Sequence, residues 1–197
     1  MTSLEAALRR VTGELDDAHI PFALIGGLAV SVRTEPRFTR DADLAVALGT
    51  DAEAEALIYR LRSRGHGIEA IVEQEAVGRL ATVRLTISSD SAAPVVDLLF
   101  ASSGIESEVV ADAGAIDLLP QFTIRVARVG HLIALKVLSR DDEERPQDIV
   151  DLRALLRVAS PSEIERARRS LALIAARGYH RGRDLASEIN RILPSTS

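Results

Sequence analysis

Two aspartates one residue apart, Asp41 and Asp43 in the segment DADLAV, are the residues of this 197-residue chain best suited to chemistry. Apolar neighbours mark the segment as a strand. Side chains alternate along a strand, so both carboxylates face one way while Ala42 and Leu44 face the other. At roughly 7 Å, two like charges disfavour joint ionisation unless a cation compensates them. Hard divalent cations such as Mg²⁺ take oxygen donors of this kind. Upstream, Phe22 to Ile25 reads as a short apolar strand, and Gly26-Gly27 as the turn into a helix. Glycines at such a turn let backbone N–H groups and a helix N-terminus approach a phosphate. An apolar strand, a Gly-Gly turn, thirteen residues and Asp-x-Asp together describe a holder for a metal-bound nucleoside triphosphate.

Further segments set charged residues in apolar surroundings or in a basic run. Pro94-Val-Val-Asp97-Leu-Leu-Phe100 reads as an apolar strand, a costly place for a lone carboxylate. Asp97 therefore needs a partner, either an arginine or backbone cap, or a cation shared with Asp41 and Asp43. Leu132, Ile133, Leu135, Val137 and Leu138 make a strongly apolar helix with one lysine, Lys136, whose stem can also reach the surface by snorkelling. The next helix starts at Pro146 and carries Asp148 and Asp151 three residues apart. The most basic segment runs from Arg177 through Arg181 to Arg183. It reads as a phosphate-contacting turn or as solvated surface. The four histidines are scattered and show no metal-ligand spacing.

These residues need elements to position them. Leu4, Leu8, Val11 and Leu15 recur at helical period, and Thr2-Ser3-Leu4-Glu5 has capping-box spacing, so residues 3–18 form an amphipathic helix. A second helix runs from a cap at Thr50 or Asp51 to about Arg64, with Gly65 as its stop. Ile68 to Glu73 and Leu80 to Ile87 are strands. In the second, Ala81, Val83, Leu85 and Ile87 alternate with Thr82, Arg84 and Thr86, which implies one solvated face. Residues 101–128 are loop and short-strand material, with Phe122 to Val126 the last strand. The acidic run Asp141 to Glu144 marks a loop. Ser160-Pro161-Ser162-Glu163 caps a helix to about Arg177, and a final helix covers Asp184 to Leu193. No internal repeat or interdomain linker breaks the chain.

Composition narrows the classes. The chain is 47% hydrophobic and 27% charged, as ordinary globular proteins are. With no Trp, two Tyr and four Phe, it lacks the material for an aromatic platform under single-stranded nucleic acid. Zero Cys excludes disulfides, thiolate metal sites and cysteine nucleophiles, and fits a reducing cytoplasm. No apolar run approaches about 18 residues, and the N-terminus lacks a basic region followed by an apolar core, so neither spanning nor secretion is expected. The net charge of -5 hides an asymmetry: residues 160–197 hold seven Arg against four acids.

The Gly26-Gly27 and Asp41-x-Asp43 pattern resembles the nucleotidyltransferase superfamily that includes DNA polymerase beta. Within it, Arg37, Thr39, Asp41 and Asp43, then Leu132 to Lys136, then Arg145, Pro146, Asp148 and Asp151 resemble the AbiEii-type nucleotidyltransferase toxins over residues 20–155. The resemblance implies an α/β (α+β) fold: a nucleotidyltransferase-like mixed sheet flanked by helices across residues 1–128, with a C-terminal helical region, 129–197, packed on it. It implies transfer of a nucleotide from an NTP to RNA, including tRNA, or to protein, restrained by a cognate antitoxin. Gly26 and Gly27 would then contact the triphosphate. Arg37 and Thr39 would touch phosphate, with Arg37 equally an ion-pair partner for the acidic cluster. Asp41, Asp43 and Asp97 would bind Mg²⁺ in a two-ion site. Lys136 would neutralise phosphate charge, and Asp148 would fix the lysine or the base and sugar. Arg177, Arg181 and Arg183 would contact RNA. Two other readings stay open: transfer to a small molecule of aminoglycoside type, and a nucleotide-binding module without turnover.

Overall fold

The computed structural model describes residues 3–86, 94–141 and 146–193. Thr2 of the expected capping box, Ile87 at the expected end of a strand, and Asp142, Glu143, Glu144 and Arg145 lie outside the described residues. The fold begins with α1 (Ser3–Asp17), β1 (Phe22–Ile25), α2 (Gly26–Arg33), β2 (Asp41–Val46) and α3 (Asp51–Ser63). β3 (Gly67–Gln74), β4 (Arg79–Thr86), β5 (Val95–Leu99), α4 (Glu106–Asp112), β6 (Gly114–Leu119) and β7 (Phe122–Val126) follow. α5 (Val129–Ser139), α6 (Pro146–Val158), α7 (Pro161–Ala176) and α8 (Leu185–Ile192) complete it.

Local chemistry accounts for most of these elements. Leu8, Val11 and Leu15 bury one stripe of α1, which packs on β2 and β5. α3 starts with a full capping box: the Thr50 hydroxyl accepts from Glu53 N–H while the Glu53 carboxylate accepts from Thr50 N–H. At α7 half of the expected box forms: the Ser160 hydroxyl accepts from Glu163 N–H, with Pro161 at the first turn, while the Glu163 carboxylate accepts from Gly130 N–H instead. Among the described residues, the one helix that the sequence pattern does not reveal is α4. It has seven residues, too few to display a period, and is held by the buried Glu106 carboxylate, which accepts from the N–H groups of Ser102 and Ser103.

Among the described residues the strands form a seven-stranded mixed sheet in the order β3-β4-β5-β2-β1-β7-β6. β2 runs parallel to β5 and β1 parallel to β7, and the other neighbours are antiparallel. Ala42, Leu44 and Val46 of β2, Val83 and Leu85 of β4, and Val96 and Leu98 of β5 point into the apolar core. The opposite face of these strands carries the polar residues. The solvated face expected on β4 is therefore the face that looks into a cleft, where Thr82 and Arg84 sit. α2 leaves the β1 end of that face and meets β2, α5 and α6. No described helix is long and apolar enough to cross a membrane.

α4, α5 and α7 are joined by a buried histidine. His131 shares hydrogen bonds with the Ser170 hydroxyl at 3.0 Å and with the Asp112 carboxylate at 3.2 Å, and Arg166 also reaches Asp112. Burial pushes the His131 pKa below 6.5, with Arg166 adding to the effect and Asp112 and Glu163 opposing it. Burial likewise lowers His66. A folded-state pKa below the unfolded value means that the unfolded chain binds the proton first, so stability is complete above about pH 6.5 and declines below it. The melting temperature is expected to fall from pH 7.5 to 5.5, and to fall less in His131→Gln. Equal pH slopes in thermal melts of the two proteins would remove His131 as a source of acid sensitivity.

Candidate active site

One lateral row across the sheet sets the site. Ile25 of β1 pairs with Asp43 of β2, Asp43 with Asp97 of β5, and Asp97 with Arg84 of β4. Laterally paired side chains share a face, so Asp43, Asp97 and Arg84 stand side by side, with Asp41 two residues from Asp43 on the same strand. Arg84 grips Asp97 with both ends of its fork, Nε at 2.9 Å and Nη2 at 2.8 Å. That pairing raises the Arg84 pKa, reinforced by the nearby Asp41 and Glu69 carboxylates. Of the two partners foreseen for Asp97, the structure supplies the arginine.

The row ends at the glycine turn. Ile25 closes β1 opposite Asp43, so Gly26 must pass directly against the Asp43 carboxylate. It does so at φ +65°, and a Cβ there would overlap the carboxylate. At Gly27 a Cβ would lie 2.6 Å from Arg37 Nη2. The glycines thus admit Asp43 and Arg37 to the N-terminus of α2.

The opposite wall comes from α5 and α6. Lys136, only 8% exposed, does not snorkel; it bonds Asp148 at 2.5 Å and Asp151 at 2.9 Å. Ser139 donates to the second oxygen of Asp148. Asp151 accepts a bidentate pair from Arg37, at 2.9 and 2.8 Å, and a bond from Gln147. Burial pushes the Asp151 pKa up, but the hydrogen bonds from Lys136, Arg37 and Gln147 outweigh it and hold the carboxyl below its ordinary value. Thr39 turns its hydroxyl to the Asp41 carbonyl.

Gly26, Gly27, Arg37, Thr39, Asp41, Asp43, Asp97, Lys136 and Asp148 all line one cleft of about 650 Å³. The basic turn divides. Arg181 lines the cleft, whereas Arg177 pairs with Glu108 and the Gly104 carbonyl, and Arg183 with Glu188 and the Leu138 carbonyl. Sequence reasoning missed Arg84, and it noted Asp151 without a role. A charged residue on the polar side of an alternating strand was the available signal for Arg84, but its neighbour depends on strand order.

As a donor set for a divalent cation, Asp41 and Asp43 fit: two carboxylates share one strand face and open on the cleft. Asp97 offers oxygens already engaged by Arg84, and among the described residues no three acidic or histidine side chains converge as a ready-made metal cage.

The family model of the nucleotidyl transferase AbiEii toxin, from type IV toxin–antitoxin systems, matches residues 8–195. The chain belongs to this family. It is accordingly a nucleotidyltransferase. Solved structures agree on the fold. An antigenic nucleotidyltransferase-like protein from Paracoccidioides brasiliensis superposes with TM-score 0.56 at 17% identity, over 98% of this chain and 94% of that one. The antibiotic-resistance factor ANT(2'')-Ia, crystallised with adenylyl-2''-tobramycin, gives TM-score 0.55 at 16% identity, over 89% and 99%. Its solution structure gives 0.53 at 18% identity, over 86% and 90%. No curated protein sequence matches the chain. The AbiEii assignment and the mixed sheet agree with the expectations drawn from the Gly-Gly and Asp-x-Asp motifs.

Two substitutions test how this AbiEii site is held. Gly26→Ala places a side chain at positive φ against Asp43, and should lower unfolding free energy by at least about 1 kcal/mol in urea titrations. Unaltered stability would mean that the turn relaxes freely. Lys136→Met leaves Asp148 and Asp151 short of a buried partner and should cost about 3–5 kcal/mol. A loss below 1 kcal/mol, by the same titration, would show that the lysine is not their main counter-charge.

Proposed function

We propose that the chain transfers a nucleoside monophosphate from a Mg²⁺-bound NTP to a hydroxyl group of RNA, with tRNA the first acceptor to test, and that it acts as the toxin of a toxin–antitoxin pair. The observation that carries this reading is the meeting, in one cleft, of the Asp41/Asp43 face, the Gly26-Gly27 turn and the buried Lys136–Asp148 pair. The zero-cysteine composition suits a reducing compartment, and we assign the chain to the cytoplasm.

Asp41 and Asp43 would hold the Mg²⁺, which would supply Lewis-acid polarisation of the phosphate. The Gly26 and Gly27 backbone, at the start of α2, offers N–H groups to the triphosphate. Lys136 is held by Asp148 and Asp151 with its charge already in place, so it meets the negative charge that builds as pyrophosphate departs without first reorganising. Arg37, tied to Asp151, braces this wall, and its guanidinium also lies along the cleft. One carboxylate of the row takes the acceptor hydroxyl proton as the oxygen–phosphorus bond forms and the bond to pyrophosphate breaks. Arg181, which lines the cleft, is the basic-turn residue that would meet an acceptor phosphate; Arg177 and Arg183 brace α7 and α8.

The test is transfer of label from each α-³²P NTP into total tRNA, total protein, the enzyme itself and an aminoglycoside, with Asp43→Ala as control. Label in tRNA that vanishes in Asp43→Ala is the expected result. Label in protein or aminoglycoside instead would replace the acceptor, and transfer at wild-type rate by Asp43→Ala would remove the assigned site.

A further inference from the structure

The two-ion arrangement implied by the resemblance asks Asp97 to give its oxygens to a metal. In this chain both oxygens are engaged by the Arg84 fork, in a strand-to-strand register that places the guanidinium beside the Asp43–Asp97 pair. We infer that Arg84 is a built-in cation that stands in for a second metal ion, so that the resting site takes one divalent cation, at Asp41 and Asp43. This rests on the proposed Mg²⁺-dependent transfer and specifies its metal requirement.

The geometry leads there. Lys136 and Arg37 stand on the opposite wall, tied to Asp148 and Asp151. The Asp97 side chain is nearly buried, so removing its counter-charge carries a desolvation cost, while the Arg84 side chain is 43% exposed and reaches in from the cleft edge. A guanidinium that matches a carboxylate with two parallel bonds is the strongest hold a side chain can offer there, and a lysine could make only a point contact. For a second metal to reach Asp97, Arg84 must first swing out.

Counting Mn²⁺ ions bound to the full-length protein, by loss of the free Mn²⁺ electron paramagnetic resonance signal, tests this without reference to turnover. Wild type should saturate with one Mn²⁺. Arg84→Gln should accept a second, and the double variant Arg84→Gln/Asp97→Asn should return to one. Arg84→Lys, which keeps the charge but loses the fork, should admit the second ion only at concentrations at least tenfold higher than Arg84→Gln needs. Thermal melts should show Mn²⁺ raising the melting temperature of Arg84→Gln more than that of wild type. Two ions in wild type, or one ion in Arg84→Gln with an unchanged melting response, would overturn the inference while leaving the proposed transfer standing. No Mn²⁺ bound to either protein would overturn both.

Discussion

Carboxylates on neighbouring strands cannot share one face of a sheet unless positive charge is supplied beside them, and much of the structure around the cleft meets that constraint. The parallel pairing of β2 with β5 puts Asp43 next to Asp97, and the antiparallel β4 brings Arg84 to the end of the row. The sheet order therefore decides the electrostatics before any ligand arrives. A one-residue slip of β4 would send Arg84 to the apolar face and leave Asp97 alone, an error expensive enough to fix the register.

The opposite wall obeys the same constraint with different parts. A lysine in so apolar a helix as α5 is sustainable because α6 presents Asp148 and Asp151 to it from consecutive turns. Asp151 then connects outward to Arg37, whose guanidinium packs against Gly27. Strand face, glycine turn and helix wall are thus mechanically coupled: Asp43 touches the turn from one side and Arg37 from the other. A nucleotide entering this cleft meets charges that are already oriented, the condition under which electrostatic stabilisation of a transition state costs no reorganisation.

Much of this was legible in the amino-acid order. The pattern of β4 foretold a polar face, and that face proved to be the cleft side. The capping residues Thr50 and Ser160 marked helix starts correctly. Helix α4 stayed hidden because its cap comes from a glutamate inside the helix reaching back to Ser102 and Ser103, not from a side chain ahead of it. The basic turn at Arg177, Arg181 and Arg183 looked like one patch, yet two of its members turn to carboxylates on α4 and α8. Local sequence shows how much charge a turn carries, but not which acids fold against it.

By itself, the sequence determined the strand that bears Asp41 and Asp43, the glycine turn, the apolar helix around Lys136 and the family these motifs belong to. The first three rest on periodicity, spacing or backbone freedom within a short window, which neighbouring residues set; the family rests on the resemblance of linked motifs along the chain. Only the tertiary structure decided which cation each carboxylate meets: Arg84 for Asp97, Arg37 and Lys136 for Asp151. Those pairings are made sideways, between strands and helices far apart in the chain. The free energy that selects them comes from burying charge in company, which no local pattern records.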